Sequence, residues 1–356
     1  MKYYINGRFL TQKITGVQRF AEEMTKSLDA IIEKKQSNDE YILIAPNQSL
    51  HKIDCRHIKI YKCGYLKGHL WEQLELPYYS RDGFLLNFCN CAPLIKEKQA
   101  VVIHDAAVVA MPNTFSFLFR AWYSLMFFIL GKRVKKIFTV SKFSAGELVK
   151  YFDYDWENII VTYNGASHLD KVVADKRIIK KIGSEKAKYI LAVSSLNPSK
   201  NFQLLIETAN KMPNLKFVFV GAGNSNVFKN CYQNEQPNII YTGYVTDGEL
   251  KALYQHATAF VYPSLYEGFG IPPLEAMYFG CPVIVSDCAS LPEVCGDAAL
   301  YCSPYDSDML RKKIEKILMD KSLSDAMKQK GLERVNNFRW DNEAMKIFCQ
   351  IQDVTK

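Results

Sequence analysis

Two glutamates, two glycines and two adjacent prolines lie close together in segment 264–277, where they could hold a sugar or a phosphate. The segment follows a hydrophobic run and enters a helical pattern through prolines, which suit the first turn of a helix. A helix N-terminus at the carboxyl edge of a parallel sheet presents backbone N–H groups to a phosphate or a sugar hydroxyl. We expect Glu267 in the loop and Glu275 in the first helical turn, so that two carboxylates able to accept hydrogen bonds from vicinal hydroxyls face one site. Either glutamate alone would be a solvated turn residue or a complement to the helix dipole, and only their combined spacing favours a site.

Parallel strands covered by helices must position these residues. Short β-rich runs alternate with helix-period segments along most of the chain, a pattern typical of doubly wound α/β units. The predicted strands are 41–44, 100–103, 137–140 and 159–162 in the first half, and 189–193, 217–220, 239–241, 259–262 and 283–285 in the second.

The length of 356 residues predicts two domains, since one domain usually has about 150 residues. We predict a first domain over 1–175, a second over 176–339, and a final helix over 340–356 that packs back on the first. The domain boundary is expected within the lysine-rich polar stretch 169–188, which has no strand pattern and would form a hinge.

Composition and charge exclude several classes of protein. The hydrophobic fraction of 48% and charged fraction of 23% are those of a soluble globular chain. The ten cysteines are scattered, no secretory signal is visible and no paired Cys-x-x-Cys pattern suggests zinc, so we expect reduced thiols. The net charge of +8 suits nucleic acid, an anionic membrane or phosphorylated substrates, but no nucleic-acid recognition signature is present. The longest apolar stretch, 117–130, is too short to cross a bilayer, which needs about 20 residues.

Segment 264–277 resembles the E-x7-E signature of the family-4 retaining glycosyltransferases, which have the GT-B fold. The resemblance covers nearly the whole chain, because further segments match family motifs in the family's order. These segments are 15–19, 71–77, 102–105, 140–144, 163–165 and 286–294. The resemblance implies two Rossmann-like domains that face each other across a cleft, with the donor bound between them. It also implies that the first domain, 1–175, binds the acceptor and the second, 176–339, binds the nucleotide sugar.

The resemblance also implies roles for individual residues. Glu275 matches the family glutamate that binds the nucleotide ribose, and Glu267 matches the contact to the donor sugar. Lys200 matches the lysine on the donor diphosphate, where a cation stabilises the charge that grows on the leaving group. His104 matches a histidine near the reacting sugar, with Asp105 as the residue that orients it. The implied catalytic residues are His104, Lys200 and Glu267, and the implied donor-binding residues are Gly16, Lys200, Glu267, Gly268, Phe269, Gly270 and Glu275.

Several of these residues also have simpler interpretations. A lysine before a helix is commonly solvated, a histidine at a strand end is commonly satisfied by its turn, and Gly16 could be an ordinary turn glycine. The chain departs from the family at Ser194 and Ser195, where many members have an arginine. The diphosphate would then meet one fewer cation than usual.

Two tempting motifs are discounted. Asp153 and Asp155 form the D-x-D pattern of metal-dependent glycosyltransferases but lie in a polar connection, so we interpret them as a solvated loop and expect no metal. Gly221 and Gly223 follow a strand, but Asn226 replaces the third glycine of a dinucleotide fingerprint, which disfavours hydride transfer. We expect no cofactor beyond the nucleoside diphosphate sugar substrate.

The aromatic segment 115–138 leaves two interpretations open. Its basic end is formed by Lys132, Arg133, Lys135 and Lys136. One interpretation is a buried helix of the first domain. The other is a helix at the membrane surface that brings the enzyme to a lipid-linked acceptor.

The resemblance implies a retaining hexosyltransferase that moves a mannose-like hexose from a nucleoside diphosphate sugar to a growing surface glycan. Its expected partners are a nucleotide-sugar donor and a lipid-linked or oligosaccharide acceptor, and its expected place is the cytoplasm, at the inner face of the membrane. One alternative is a sugar-nucleotide epimerase of the same fold, which would release an isomerised nucleotide sugar without an acceptor. The other is a non-catalytic module, which would bind donor tightly without turnover.

Overall fold

The computed structural model describes residues 1–134, 136–184, 187–195, 197–221 and 236–355. The predicted features at Lys135, Gly223 and Asn226 lie outside these residues. The chain divides into two compact units, one of Met1–Asn164 with Arg339–Lys356 and the other of Gly165–Phe338. The boundary lies earlier than the predicted position near 175, because Leu169 and Asp170 already accept hydrogen bonds from Lys251 of the second unit.

The first unit is built on a seven-stranded sheet in the order β3-β2-β1-β4-β5-β6-β7, with every neighbouring pair parallel. Its strands are β1 (Lys2–Asn6), β2 (Glu40–Pro46), β3 (Lys59–Cys63), β4 (Phe84–Asn87), β5 (Gln99–Val102), β6 (Ile137–Thr139) and β7 (Ile159–Val161).

The second unit is built on a six-stranded parallel sheet in the order β10-β9-β8-β11-β12-β13. Its strands are β8 (Tyr189–Val193), β9 (Lys216–Val220), β10 (Ile239–Gly243), β11 (Ala259–Tyr262), β12 (Val283–Ser286) and β13 (Ala299–Cys302). Together the two sheets confirm the predicted α/β class.

Helices connect the strands in both units. Among the described residues, those of eight residues or more are α1 (Gly16–Lys35), α2 (Phe117–Arg133), α3 (Lys142–Phe152), α4 (Phe202–Asn210), α5 (Asp247–His256), α6 (Ile271–Tyr278), α7 (Ser307–Met319), α8 (Lys321–Arg334) and α9 (Trp340–Thr355). Shorter helices are Gly68–Leu70, Leu76–Tyr79, Ala107–Ala110, Arg177–Lys181 and Leu291–Cys295, and a π-helical turn covers Trp71–Glu75.

Each sheet has one point at which the direction of strand order reverses. In the first unit it lies between β1 and β4, and in the second between β8 and β11. In open parallel sheets ligands bind outside the carboxyl ends of the strands at this point. The chain therefore has one such position in each unit.

The final helix packs on the first unit. The Trp340 ring of α9 lies 6.0 Å from the Phe20 ring of α1, measured between centroids. Lys346 donates a hydrogen bond of 2.9 Å to the Val161 carbonyl at the end of β7. The final helix thus packs beside α1 and reaches the end of β7.

The helix within segment 115–138 has one buried and one exposed face. Met126, Phe127 and Leu130 are buried in the core of the first unit. Phe117 and Leu118 are 78% and 79% exposed, and Leu125 and Phe128 of the same helix are exposed as well. No helix among the described residues is both long and apolar enough to cross a membrane.

Candidate active site

The glutamate-rich segment forms a loop between β11 and α6 at the switch point of the second sheet. The loop turns at Gly270, whose φ of 100° lies in the region that side chains disfavour. A Cβ atom at this position would lie 2.8 Å from the Leu291 side chain, so the close approach of the two segments requires glycine. Pro272 lies in the first turn of α6, as predicted. Glu275 begins the second turn rather than the first, because α6 starts at Ile271.

Glu267 of this loop forms an ion pair with Lys200, which lies in the turn before α4. The Lys200 Nζ atom lies 2.6 Å from Glu267 Oε1, and the two side chains are only 20% and 9% exposed. Burial alone would lower the pKa of Lys200, but the Glu267 carboxylate outweighs it and raises this pKa above the ordinary lysine value. The Lys200 ammonium group also lies 5.7 Å from the centre of the Tyr262 ring. A partly buried, charged lysine therefore lies beside a buried carboxylate.

The turn that carries Lys200 is fastened to the Glu267 loop. Asn201 adopts a φ of 55° and donates hydrogen bonds to the Pro263 and Pro304 carbonyls at 3.1 and 2.7 Å. The Leu265 amide donates to the Ser199 carbonyl at 2.7 Å. These bonds fix the distance between the cation and the loop.

The loop itself is held from its other side by Ser290. This buried hydroxyl lies 2.9 Å from both the Glu267 and the Phe269 carbonyl oxygens. The Phe269 ring packs 5.7 Å from the Phe338 ring. The backbone of Glu267, Gly268 and Phe269 is thus preorganised by contacts within the protein.

Both carboxylate oxygens of Glu275 have protein partners. His168 Nε2 lies 2.8 Å from Oε1, and the Tyr254 hydroxyl donates to Oε2 at 2.7 Å. Burial and then the neighbouring carboxylate raise the pKa of Tyr254 well above its ordinary value, so the hydroxyl keeps its proton and donates. Glu275 is therefore oriented by residues distant in sequence.

His104 lies in the first unit, just after β5, and is buried. Its Nε2 atom lies 2.8 Å from the Phe88 carbonyl, and its backbone amide donates to Asn90 at 2.6 Å. Burial lowers the pKa of His104 to about 4, so the imidazole is neutral at neutral pH. A carbonyl only accepts, so the proton is on Nε2 and the Nδ1 lone pair can accept a hydrogen bond. Asp105, expected to orient His104, accepts a hydrogen bond from the Ala107 amide.

Gly16 is the first residue of α1 and is exposed. It lies within a capping box, in which the Thr15 side chain accepts from the Gln18 amide and the Gln18 side chain accepts from the Thr15 amide. Ser194 and Ser195 lie after β8, and Ser195 is exposed. The structure brings Lys200, Glu267 and the loop from Gly268 to Gly270 together in the second unit, whereas Gly16 and His104 belong to the first.

The D-x-D motif has a structural role. Asp153 ends α3 in the left-handed conformation, and Asp155 accepts hydrogen bonds from the Glu157 amide and the Asn158 side chain. Elsewhere in the described part of the chain, His69, Glu72 and Cys91 place possible metal-ligand atoms within 4.8 Å of one another. Arg8 already lies 3.3 Å from Glu72, and burial raises the pKa of the Cys91 thiol to about 12. The group is therefore better suited to hydrogen bonding than to a cation.

Sequence reasoning missed the residues that position the predicted ones. These are His168, Asn201, Tyr254, Tyr262 and Ser290. A local signal exists for Asn201, because asparagine tolerates the left-handed conformation between a turn and a helix. The others come from separate segments and leave no pattern near the site.

The chain matches a family model and curated relatives. Residues 174–334 match the model described as glycosyl transferases group 1. O-antigen chain mannosyltransferase B of Escherichia coli is 35% identical over 220 residues, which are 58% of this chain and 58% of the relative. O-antigen chain mannosyltransferase RfbU of Salmonella typhimurium is 32% identical over 261 residues, which are 71% of this chain and 68% of the relative.

A solved structure shares the whole fold. Anabaena HepE in complex with UDP-glucose is 14% identical, with a TM-score of 0.75 over 99% of both chains. That likeness establishes a common architecture of two parallel-sheet units, and the curated relatives establish common descent. The chain belongs to the group 1 glycosyltransferases and has the GT-B fold.

Proposed function

We propose that the protein is a retaining family-4 glycosyltransferase that moves a mannose-like hexose from a nucleoside diphosphate sugar to a growing, lipid-linked surface glycan. The observation that carries the proposal is the ion pair at 2.6 Å between Lys200, in the turn before α4, and the buried Glu267, in the loop before α6. Such a pair offers a cation to a diphosphate and a carboxylate to a sugar hydroxyl. The names of the relatives support a mannosyltransferase, and the UDP-glucose bound to HepE supports a nucleotide-sugar donor.

The donor contacts in this proposal are those that the family resemblance implies, and the local geometry supports them. Lys200 and the amides before α6 meet the diphosphate, Glu267 and the amides of Gly268 and Phe269 meet the hexose, and Glu275 meets the ribose. Glu275 is already oriented by His168 and Tyr254, which lowers the cost of arranging it when the donor binds. Gly16 lets the loop before α1 approach the diphosphate.

In the proposed reaction the acceptor hydroxyl oxygen bonds to the anomeric carbon while the bond from that carbon to the diphosphate breaks. The diphosphate leaves from the same face and takes the hydroxyl proton, so the configuration is retained. Lys200 and the N-terminus of α6 stabilise the negative charge that grows on the leaving group, which lowers the barrier without a divalent metal. Neutral His104 accepts a hydrogen bond from a donor-sugar hydroxyl at Nδ1.

To reach a lipid-linked acceptor, the protein would bind the inner face of the cytoplasmic membrane. The exposed apolar face of α2 ends at Lys132 and Arg133, and Lys136 follows nearby. These basic residues line a pocket of about 530 Å³. Apolar side chains next to basic ones suit the surface of an anionic bilayer, where a lipid-linked acceptor resides.

The test is to incubate the purified chain with single nucleoside diphosphate hexoses and a lipid-linked or soluble glycan acceptor. We expect transfer of one hexose with the anomeric configuration of the donor, measured by NMR of the product. Transfer with inversion would overturn the retaining mechanism. An isomerised nucleotide sugar formed without acceptor would establish an epimerase, and donor binding without turnover over a broad acceptor panel would establish a binding module.

A further inference from the structure

A second buried carboxylate lies in the first unit, outside the donor residues. Glu72 is 1% exposed and sits in the π-helical turn Trp71–Glu75. It accepts a hydrogen bond of 2.7 Å from Asn6 and lies 3.3 Å from the Arg8 guanidinium and 3.2 Å from His69 Nδ1. Isolated π-helical turns are frequent at functional sites.

The neighbours of Glu72 in this turn have structural tasks. Trp71 is fully buried and donates to the Cys63 carbonyl at 3.0 Å. Gln73 binds the Ala92 carbonyl and the Leu94 amide, and Glu75 accepts from the Tyr65 and Leu66 amides. Glu72 instead points to other side chains, although a buried ion pair contributes little net stability. Stability alone therefore does not explain why a carboxylate is buried at this position.

His69 is the accessible end of this network. Its side chain is 38% exposed, whereas those of Glu72 and Arg8 are 1% and 9% exposed. A carboxylate only accepts hydrogen bonds, so Nδ1 of a neutral His69 carries the proton and the Nε2 lone pair is available. Within the described residues, Nε2 has no hydrogen-bond partner. An ordered imidazole thus offers an acceptor atom outward.

Aromatic rings of α2 stand beside His69. The ring centroids of Trp122 and Tyr123 lie 6.1 and 5.9 Å from that of His69, and Phe119 stacks on Tyr123 at 4.4 Å. The Trp122 indole N–H is buried and has no hydrogen-bond partner in the described ranges of the chain. An unsatisfied buried donor is costly and points to a ligand or ordered water. A lone acceptor, a lone donor and aromatic rings together match the composition of a ligand site.

The network also lies where the first sheet is expected to bind ligands. Asn6 ends β1 and Asn87 ends β4, the two strands at the switch point, and Asn6 donates to Asn87 at 3.0 Å. Asn6 links this edge directly to Glu72. The switch point of the second unit carries the candidate donor residues, so that of the first unit is available for the other substrate.

We propose that His69 and Trp122 bind a sugar of the glycan acceptor, with Glu72 and Arg8 as positioning residues. His69 Nε2 accepts a hydrogen bond from an acceptor hydroxyl, the Trp122 N–H donates to a sugar oxygen, and the aromatic rings pack on the sugar. Glu72 fixes the ring and tautomer of His69, and Arg8 neutralises Glu72. This inference rests on the proposed glycosyl transfer and names the surface that receives the acceptor.

The test compares acceptor and donor kinetics in His69→Ala, Trp122→Phe and Glu72→Gln. Trp122→Phe retains an aromatic ring and removes only the N–H donor. His57→Ala is the matched control, because His57 is 39% exposed and pairs at 3.7 Å with Glu33, which is not one of the residues proposed to bind or position the acceptor. Each variant is first checked by thermal unfolding, so that a loss of folding is not counted as a loss of binding.

We expect the acceptor KM to rise about three- to tenfold in His69→Ala and Trp122→Phe, the effect of one lost hydrogen bond, while the donor KM stays within about twofold of wild type. The His57 control retains both constants. An unchanged acceptor KM in the folded His69 and Trp122 variants overturns this inference while wild-type transfer still supports the proposed function. Absence of transfer by wild type to any glycan overturns the proposed function itself.

Discussion

The two units each bury a carboxylate beside a cation, but they arrange the pair differently. In the second unit Lys200 contacts Glu267 at 2.6 Å, and the lysine remains 20% exposed. In the first unit Glu72 has three partners, namely Asn6, Arg8 and His69, and is almost fully buried. If the donor binds as proposed, its diphosphate replaces Glu267 as the partner of the partly exposed Lys200. Glu72 is held by three partners, and in the proposed acceptor site it acts through the His69 ring.

Lys200→Ala tests this difference most strongly. It removes the cation that we expect at the leaving diphosphate, and loss of one such preorganised contact costs about 2.7 to 4 kcal/mol of transition-state stabilisation. We expect turnover to fall by about two to three orders of magnitude in steady-state assays. Lys211→Ala is the control, since Lys211 is a surface residue of the same unit that pairs with Asp308 at 2.8 Å.

The steady-state turnover assay in excess chelator tests whether protein groups stabilise the leaving diphosphate without a divalent metal. We expect wild-type turnover to persist after divalent metal is removed. Loss of activity in chelator that magnesium restores, or near wild-type turnover of Lys200→Ala, would show that the leaving group is stabilised in another way.

Charge at the end of α2 should act on a membrane and not on chemistry. We expect the change of Lys132, Arg133 and Lys136 to Gln to weaken binding to anionic vesicles by about a hundredfold, at about 1 kcal/mol for each basic residue. Turnover of a soluble acceptor should be retained. Sedimentation with vesicles of anionic and of neutral lipid measures the effect.

A charge-matched control changes Lys34, Lys35 and Lys59 to Gln, since these exposed residues lie elsewhere on the first unit. Equal losses in both triple variants would indicate a general effect of net charge. Equal binding by wild type and the α2 variant would leave α2 as a core helix with a basic end.

Glu275→Ala is expected to act on donor binding. A hydrogen bond to a charged group contributes about 1.5 to 3 kcal/mol, so the donor dissociation constant should rise about 10- to 150-fold while the acceptor KM changes little. Calorimetric titration with nucleoside diphosphate measures it. Glu207→Ala, at the exposed surface of α4, is the control. An unchanged dissociation constant in the folded variant would remove Glu275 from the ribose site.

The sheets could be predicted where strands are buried on both faces. The ranges predicted at 189–193 and 259–262 coincide with β8 and β11, because such strands are uninterrupted apolar runs. β3 was missed because its residues from Lys59 to Lys62 are exposed and resemble a loop. β1, β4 and β13 were also missed, although none of them is shorter than β6 or β7, which were predicted.

Site residues, like strands, could be predicted from the sequence only where the signal is local. Glu267, Gly270 and Glu275 could be proposed from the sequence because one loop and one helix carry them within a few residues. His168 and Tyr254 meet Glu275 only after the second unit has folded, and no local pattern marks them. The role of Glu72 was likewise hidden, because its burial depends on Asn6 and Arg8, which are distant in sequence.

Two histidines of the first unit, His69 and His104, offer a smaller test. His69 is accessible, whereas His104 is buried with its pKa lowered to about 4. Unfolding exposes His104 and restores a pKa near 6.5, so below that pH the unfolded state binds more protons than the folded state. His104 therefore reduces stability as the pH falls from 6.5 towards 4, and it adds no further pH dependence below 4.

For wild type, the protonation of His104 in the unfolded state lowers the free energy of unfolding by about 2 kcal/mol between pH 7 and pH 5. We expect His104→Gln to lack that share of the pH dependence, whatever its stability at pH 7, while His57→Gln retains it. Urea unfolding of the three proteins at pH 5 and pH 7 measures the difference. If wild type and His104→Gln lose equal stability between these pH values, then His104 is protonated without cost, and a neutral imidazole cannot be assigned to the donor sugar.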